Sequence, residues 1–289
     1  MNIQWYPGHM VKAKRKIAED LKLVDIVIEL LDARIPLSSR NPEVDDIVGG
    51  KKRVIVLNKS DLADPAANKK WMAYFNRGNT RVILANSVSG AGLKDVLAAS
   101  NQLMKEKLDK LKSKGLLVKT TRALIIGIPN VGKSTFINKL AGKSVAQTGD
   151  RPGVTKSKQW IKVSRELELL DTPGILWPKF EDERVGMCLA FTGAIKDEIL
   201  DVNELAQKLL EVLMARFPDR LKQRYKLEEI PDGMTPEELL ETIGRKRGCI
   251  IAGGAVDTQR AAVMLLDEFR GGKIGNITLE TPEDFTNAE

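Results

Sequence analysis

The sequence predicts a doubly wound, mainly parallel α/β sheet domain followed by a smaller, mostly helical domain. Three observations carry this expectation. Five short apolar runs, 26–31, 54–57, 82–85, 123–128 and 167–170, are continuous rather than alternating, as strands buried on both faces of a parallel sheet are. Helical periods lie between the runs, and alternating strands and helices build doubly wound sheets. After Trp177-Pro178 the strand-like runs give way to helical periods.

The elements follow in order. Helical patterns occupy 9–21, 65–77, 92–114 and 132–141, between or beside the apolar runs. A sixth strand, Gln159–Val163, is expected to pair with the run at 167–170 through a turn at Ser164–Glu166. In the second region the helical periods are Asn203–Phe217, Pro236–Gly244 and Thr258–Arg270. Thr235-Pro236-Glu237-Glu238 reads as a capping box with proline at the first helical position. Asp257 opens the last helix and Gly271 closes it. These signals place one domain at 1–178 and a helical one at 179–289, joined near Lys179–Glu183. There is no internal repeat or low-complexity stretch.

The 289 residues are 43% hydrophobic and 29% charged, an ordinary globular balance. No run approaches the roughly 20 apolar residues that span a bilayer, and no membrane partner is expected. The N-terminal segment lacks the apolar core of a secretory signal. The two cysteines, Cys188 and Cys249, have no metal-like spacing, and His9 is the single histidine, which makes a protein zinc site an unlikely expectation. A reducing, cytoplasmic setting fits. Net charge is +7, but residues 1–197 carry +13 and residues 198–289 carry −6. A basic first two thirds suggests a polyanion, nucleic acid before membrane, with a solvated basic surface as the alternative.

Gly127-Ile-Pro-Asn-Val-Gly-Lys-Ser134 has the form GxxxxGK[ST] between an apolar run and a helical pattern, the context of a phosphate-binding loop. Glycines permit its tight turn, and its N–H groups can wrap the β-phosphate. Asn130, Val131, Gly132, Lys133, Ser134 and Thr135 are the candidate nucleotide contacts here. Lys133 brings positive charge to the β- and γ-phosphates, and the Ser134 hydroxyl is placed for Mg²⁺. Asp171-Thr-Pro-Gly174 follows an apolar strand and has the DxxG form. Asp171 can hold Mg²⁺ through water, and the Gly174 N–H can sense the γ-phosphate. Thr155, in the loop 148–155, is the candidate switch threonine completing the Mg²⁺ shell; an ordinary loop threonine is the alternative.

Asn58-Lys-Ser-Asp61 follows the strand 54–57. The Asp61 carboxylate can accept both guanine donors, N1–H and the exocyclic amine, a pair that adenine lacks. A buried Asp61 left without them would penalise ATP. The Asn58 amide can address purine N7, the Lys59 stem can lie over the ring, and Ser60 completes the loop. Asn86-Ser87, ahead of Val-Ser-Gly-Ala-Gly92, looks like the further guanine motif that is usually Ser-Ala. Its contribution would be a backbone N–H to guanine O6, and a plain strand-to-helix turn is the alternative. GTP and GDP are the expected ligands.

Ordinary GTPases run P-loop, switch threonine, DxxG, NKxD, Ser-Ala. Here NKxD and Asn86-Ser87 come first, so the fold class sharpens to a circularly permuted P-loop NTPase, joined near Leu93–Arg122. Close surface termini make such a cut tolerable. In this order, and with Trp5-Tyr-Pro-Gly-His-Met10, Asp32-Ala-Arg34, Ser39-Arg-Asn41, Gly149-Asp-Arg-Pro-Gly153 and 170–180, the chain resembles the YlqF/RbgA family of ribosome biogenesis GTPases over most of its length. The resemblance implies a GTPase of low intrinsic rate, stimulated by ribosomal particles, in late assembly of the large (50S) subunit. It implies contact with 23S rRNA and the 50S subunit or its precursor, and an RNA-binding helical domain. Large-subunit ribosomal proteins are further candidate partners.

Where many GTPases place a water-orienting glutamine after DxxG, this chain has Ile175. His9 is the candidate substitute, since imidazole can position or deprotonate water near neutral pH. RNA contact or a local backbone cap is its alternative. Lys133 and Thr155 are the other candidate catalytic residues. An asparagine at position 130 recurs in GTPases that bind K⁺ beside the phosphates, a cation able to replace an arginine finger; an ordinary loop side chain is equally compatible. Lys12–Lys16, Lys105–Lys119, Arg220–Lys226 and Arg245–Arg247 are candidate RNA-phosphate contacts. A GTP-dependent RNA scaffold, and a regulator of tRNA or of signalling proteins, are the rival functions.

Overall fold

The computed structural model describes residues 17–115, 120–145, 159–171 and 182–286. They form two compact units, one of residues 1–183 with 278–289 and one of 184–277.

The first unit is built on six strands, β1 (Ile26–Asp32), β2 (Lys52–Asn58), β3 (Thr80–Leu84), β4 (Thr121–Gly127), β5 (Gln159–Lys162) and β6 (Leu167–Asp171), in spatial order β3-β2-β1-β4-β6-β5. All neighbours are parallel except β5, which runs antiparallel to β6 with Trp160 opposite Leu170. All seven residues of β1 are buried, which explains its unbroken apolar reading. Its one charged residue before the closing Asp32, Glu29, meets Arg53 on β2 at 3.2 Å and Arg40 at 3.4 Å.

The chain steps outward from β1 to β2 and β3, then returns through a 21-residue helix to place β4 on the other side of β1. Parallel neighbours need such crossovers. The pair β1–β4 is therefore a topological switch point, and the crevice beyond the carboxyl ends of these strands is where α/β sheets bind ligands. The P-loop strand is fourth in the chain yet central in the sheet, which is the circularly permuted architecture.

The helices of this unit are α1 (Val44–Val48), α2 (Pro65–Phe75), α3 (Leu93–Ser113) and α4 (Lys133–Ala141). Residues 17–21 are also helical. Asp64 caps α2 by accepting the Ala67 N–H at 2.8 Å, with Pro65 at the first position. That helix buries Ala67, Asn68, Trp71 and Phe75, and Trp71 stacks on Phe75 with ring centroids 5.3 Å apart. The buried residues of α3 end at Met104, beyond which its lysine-rich turns face solvent.

The second unit contains α5 (Glu183–Phe191, counted from the last residue of the first unit), α6 (Val202–Arg216), α7 (Pro218–Tyr225), α8 (Pro236–Lys246) and α9 (Thr258–Arg270). Its core comes from one face each of α6, α8 and α9, including Leu209, Leu213, Leu240, Ile243, Leu265 and Phe269. The capping box at Thr235 and Glu238 is formed, and Asp257 caps α9. At Gly244 a Cβ would lie 2.6 Å from Val256 Cγ1, so the glycine lets this segment approach α8 closely. The buried Glu268 accepts from Arg224 Nε at 2.9 Å and from Arg247 Nη2 at 2.6 Å.

Four helices, α1, α5, α7 and the short one at Glu283–Thr286, escape the sequence reading. Helix α1 is too short to show a period. Helix α7 starts at Pro218 directly after α6, so no loop signal separates the two. Helix α5 carries Gly186 and no described capping bond. The boundary at 178/179 also needs correction at the other end of the chain. The segment 278–286, assigned from the sequence to the helical domain, belongs to the sheet unit. Leu279 N donates to Arg34 O at 2.8 Å, and the Trp71 indole donates to Glu280 O at 3.0 Å. A final short helix, α10 (Glu283–Thr286), sets Phe285 6.4 Å from Trp71.

Candidate functional site

The site lies where β4, β2 and β3 end. The loop after β4 turns into α4 through Asn130, at φ 57°, and Gly132, at φ 94°. Asparagine tolerates the left-handed region better than most residues, so position 130 has a backbone reason for its residue type apart from any cation. At Gly132 a Cβ would stand 2.5 Å from Asn58 Nδ2, which places the NKxD loop directly against the P-loop.

The contact between those loops is polar and specific. Asn58 Nδ2 donates to Val131 O at 2.7 Å, and its Oδ1 accepts Ser87 Oγ at 2.7 Å and Ser87 N at 3.1 Å. Asn58 thus ties together the loops after β2, β3 and β4. Since an amide nitrogen carries two protons, one of them can still address an acceptor such as purine N7. Lys59, at φ 58°, sends its Nζ to Asn130 O at 2.8 Å and to Asp32 Oδ2 at 3.0 Å. Its stem is thereby drawn across from the NKxD loop to the P-loop. Ser60 is held from below, its carbonyl accepting Asn68 Nδ2 at 3.1 Å, and Asp61 is exposed.

Asn86 organises its own loop. Its Oδ1 accepts Val88 N at 2.8 Å and Ser89 N at 3.0 Å, while its N donates to Ala91 O at 3.0 Å. The N–H groups from Asn86 to Ser89 all have acceptors within the protein. A donor to guanine O6 from this loop would therefore be shared with one of those bonds. The turn depends on Gly92, at φ 79°, where a Cβ would lie 2.0 Å from Leu84 O.

At the phosphate end, the buried Lys133 Nζ is 3.3 Å from Asp171 Oδ1. Burial pushes the Lys133 ammonium down from its usual pKa, and the Asp171 charge opposes this. Ser134 and Thr135 follow in the first turn of α4, where helix N–H groups favour anions. Among the described residues no group of three or more His, Cys, Asp or Glu could hold a metal. Mg²⁺ in phosphate sites is held by one or two protein oxygens plus phosphates and water rather than by an all-protein cage. Ser134 and Asp171 offer hard oxygens of that kind. His9, Thr155 and Gly174 lie outside the described residues, as do the DxxG loop beyond Asp171 and Lys12–Lys16.

Asp32 carries weight that motif reading alone did not assign. It ends β1 beside Asn58 on β2, 2% exposed. Arg34 donates to it from Nε at 2.9 Å, from Nη2 at 2.8 Å and from its backbone N at 3.1 Å. Burial would raise the Asp32 carboxyl, but the charges of Arg34 and Lys59 hold it well below the usual carboxylate range. The ionised Asp32 anchors Lys59. A charged residue closing the apolar run that ends at Leu30-Leu31 was the available signal.

Three comparisons bear on this site. A family model described as a 50S ribosome-binding GTPase matches residues 122–231, which contain the P-loop and Asp171 but not Asn58–Asp61. The chain is 55% identical over 285 residues to ribosome biogenesis GTPase A of Bacillus cereus, covering 99% of this chain and 96% of that protein. It is 34% identical to ribosome biogenesis GTPase A of Thermotoga maritima, covering 98% and 96%. Among solved structures, GDP-bound YlqF of T. maritima aligns with a TM-score of 0.66 at 31% identity, covering 93% of this chain and all of that one. The GNP-bound YlqF structure of the same organism aligns with a TM-score of 0.64 at 32% identity, covering 94% and 99%.

Proposed function

The chain belongs to the family of ribosome biogenesis GTPase A, and on that premise we propose that its GTP hydrolysis gates binding to 23S rRNA on the large (50S) subunit or its precursor. The observation that carries the nucleotide assignment is the junction of Asn58 and Lys59 with the P-loop, at 2.7 and 2.8 Å. It joins a guanine-type loop to a phosphate cradle at the sheet's switch point. In this reading Asp61 accepts from the guanine edge, the Lys59 stem covers the ring, and Asn58 with Asn86 and Ser87 shapes the base pocket. Val131, Gly132, Lys133, Ser134 and Thr135 hold the phosphates.

Mg²⁺, held by Ser134, Asp171 and Thr155, would neutralise charge developing on the transferred phosphoryl group. Asn130 is a ligand candidate for K⁺, and Gly174 senses the γ-phosphate. His9 positions the attacking water in place of the glutamine that Ile175 replaces. The roles of His9, Thr155 and Gly174 rest on sequence and resemblance alone.

The charge of +13 over residues 1–197 supports an RNA partner bound through phosphates. So do the exposed lysines of α3, Arg245 and Lys246 of α8, and Arg247 just after it. Cys188 and Cys249 form no disulfide, which is compatible with a reducing cytoplasm. Among the described residues no helix is long and apolar enough to cross a membrane.

The test is GTP turnover with and without purified 50S particles, together with crosslinking to a non-hydrolysable GTP analogue and sequencing of the bound RNA. Stimulation by the particles and recovery of 23S segments are expected. Unchanged turnover, or recovery of tRNA instead, overturns the proposal.

A further inference from the structure

The C-terminal segment 278–286 returns from the helical unit to the sheet unit and meets both supports of the NKxD loop. On one side it grips the turn after β1. Leu279 N donates to Arg34 O at 2.8 Å, and the Glu280 carboxylate accepts Leu37 N at 2.9 Å and Ser38 N at 3.1 Å. In that turn Arg34 holds Asp32, and Asp32 holds Lys59. Ser39 Oγ also accepts Asp32 N at 3.0 Å, which fixes the aspartate from behind.

On the other side the segment grips α2, the helix that follows NKxD. Asp64 N donates to Thr278 Oγ1 at 3.0 Å, and Trp71 Nε1 donates to Glu280 O at 3.0 Å. Lys70 pairs with Glu283 at 2.9 Å. Helix α2 in turn supports the loop through Asn68 and Ser60 O. Glu280 is 2% exposed and Trp71 is fully buried, so the contacts of Glu280 are interior ones, while the Lys70–Glu283 pair lies at the surface.

We infer that residues 278–286 form a strap that positions the guanine-recognition loop, with Glu280 as its principal positioning residue. The strap touches neither the P-loop nor Asp171 in any described contact. Its action therefore falls first on the base-recognition loop and reaches the P-loop only through the bonds of Asn58 and Lys59 to Val131 and Asn130. Glu280 acts through the 34–39 turn, Asp32 and Lys59, and α2 acts through Asn68 and Ser60. The inference rests on the assignment of Asn58–Asp61 as the base-binding loop. It adds that the chain leaving the helical unit ends on that loop's supports.

The experiment measures GDP and ADP affinity of the full chain by titration well below the unfolding midpoint. Three variants, Glu280→Ala, Glu280→Gln and Asp61→Asn, are compared with the unaltered protein. Removing an acceptor of two buried N–H groups should cost Glu280→Ala about tenfold in GDP affinity, with ADP affinity unchanged. Glu280→Gln, which keeps an acceptor oxygen, should recover most of the preference. A merely structural role would lower the unfolding midpoint and leave the GDP-to-ADP ratio of the folded protein as it was; that outcome overturns the strap. Asp61→Asn separates the two levels. Its amide suits the C2 oxygen of xanthine, so it should shift preference from GDP to xanthosine diphosphate. If Asp61→Asn changes nothing, the base-loop assignment itself fails. If it shifts preference while Glu280→Ala retains the normal ratio, the strap alone fails.

Discussion

Lys133 sits where two demands meet. It is buried, which disfavours its charge, and it lies 3.3 Å from Asp171, which favours it. Replacing it with alanine removes the cation we propose for the phosphates and takes from Asp171 its lysine. GDP affinity of Lys133→Ala should fall by about a hundredfold or more, since charge-assisted phosphate contacts are strong. Retention of normal affinity in a calorimetric titration would remove Lys133 from the site. The two buried glutamates, Glu280 and Glu268, respond to pH in opposite senses. Burial pushes Glu280 up to about 7, aided by Asp284 and opposed by the hydrogen bonds from Ser38 and Leu37. A folded pKa above the ordinary 4.5 means its stabilising share is complete below that value and is lost as pH rises towards 7. Glu280→Gln should therefore gain on the unaltered protein between about pH 5 and about pH 8, on the order of 2–3 kcal/mol in urea unfolding. Parallel pH profiles would contradict this. Burial alone would raise Glu268 too, but the hydrogen bonds from Arg224 and the charges of Arg224 and Arg247 win and hold it below its ordinary range. Its contribution is present above pH 4.5 and is lost on further acidification. Neither glutamate was visible in the sequence as buried, because their depth is set by arginines and backbone N–H groups that lie at least 21 positions away in the chain.

Among the elements, the loop from β3 to α3 shows how local code and contact combine. Gly92 was legible only as a small residue at the end of a turn. The structure adds a positive φ and a hypothetical Cβ 2.0 Å from the Leu84 carbonyl oxygen. No side-chain rotation relieves a clash with backbone. Gly92→Ala should lose more than about 2 kcal/mol of stability in urea unfolding, beyond the ordinary glycine effect. A loss below half of that would show that the turn adapts. The sheet was legible strand by strand, because β1, β2 and β4 are buried on both faces and so appear as unbroken apolar runs. The capping residues Thr235 and Asp257 were legible too, since their role is local. Helices α1, α5, α7 and α10 were not, for want of length, cap signal or separation from a neighbouring helix.

At the level of the whole chain, tryptophan offers a reporter confined to one unit. Trp5, Trp71, Trp160 and Trp177 all fall within residues 1–183, and the helical unit has none. Saturating GDP with Mg²⁺ should raise the fluorescence-detected unfolding midpoint, by about 4 kcal/mol of stabilisation at a thousandfold excess over Kd. Far-UV circular dichroism, which also sees helices α6 to α9, should then show a second transition that does not move. A single transition moved equally in both signals would mean that the units unfold together. The permuted order of motifs, the chemistry of guanine and phosphate recognition, and the central apolar strands could all be taken from the chain itself. Each depends on residues adjacent in sequence, where spacing encodes geometry. The bracing of Asn58 between two other loops, the anchoring of Lys59 by Asp32, and the return of 278–286 to the sheet unit could not. They join residues 27 to more than 200 positions apart, and such contacts exist only once β1, β2 and β4 have been brought side by side.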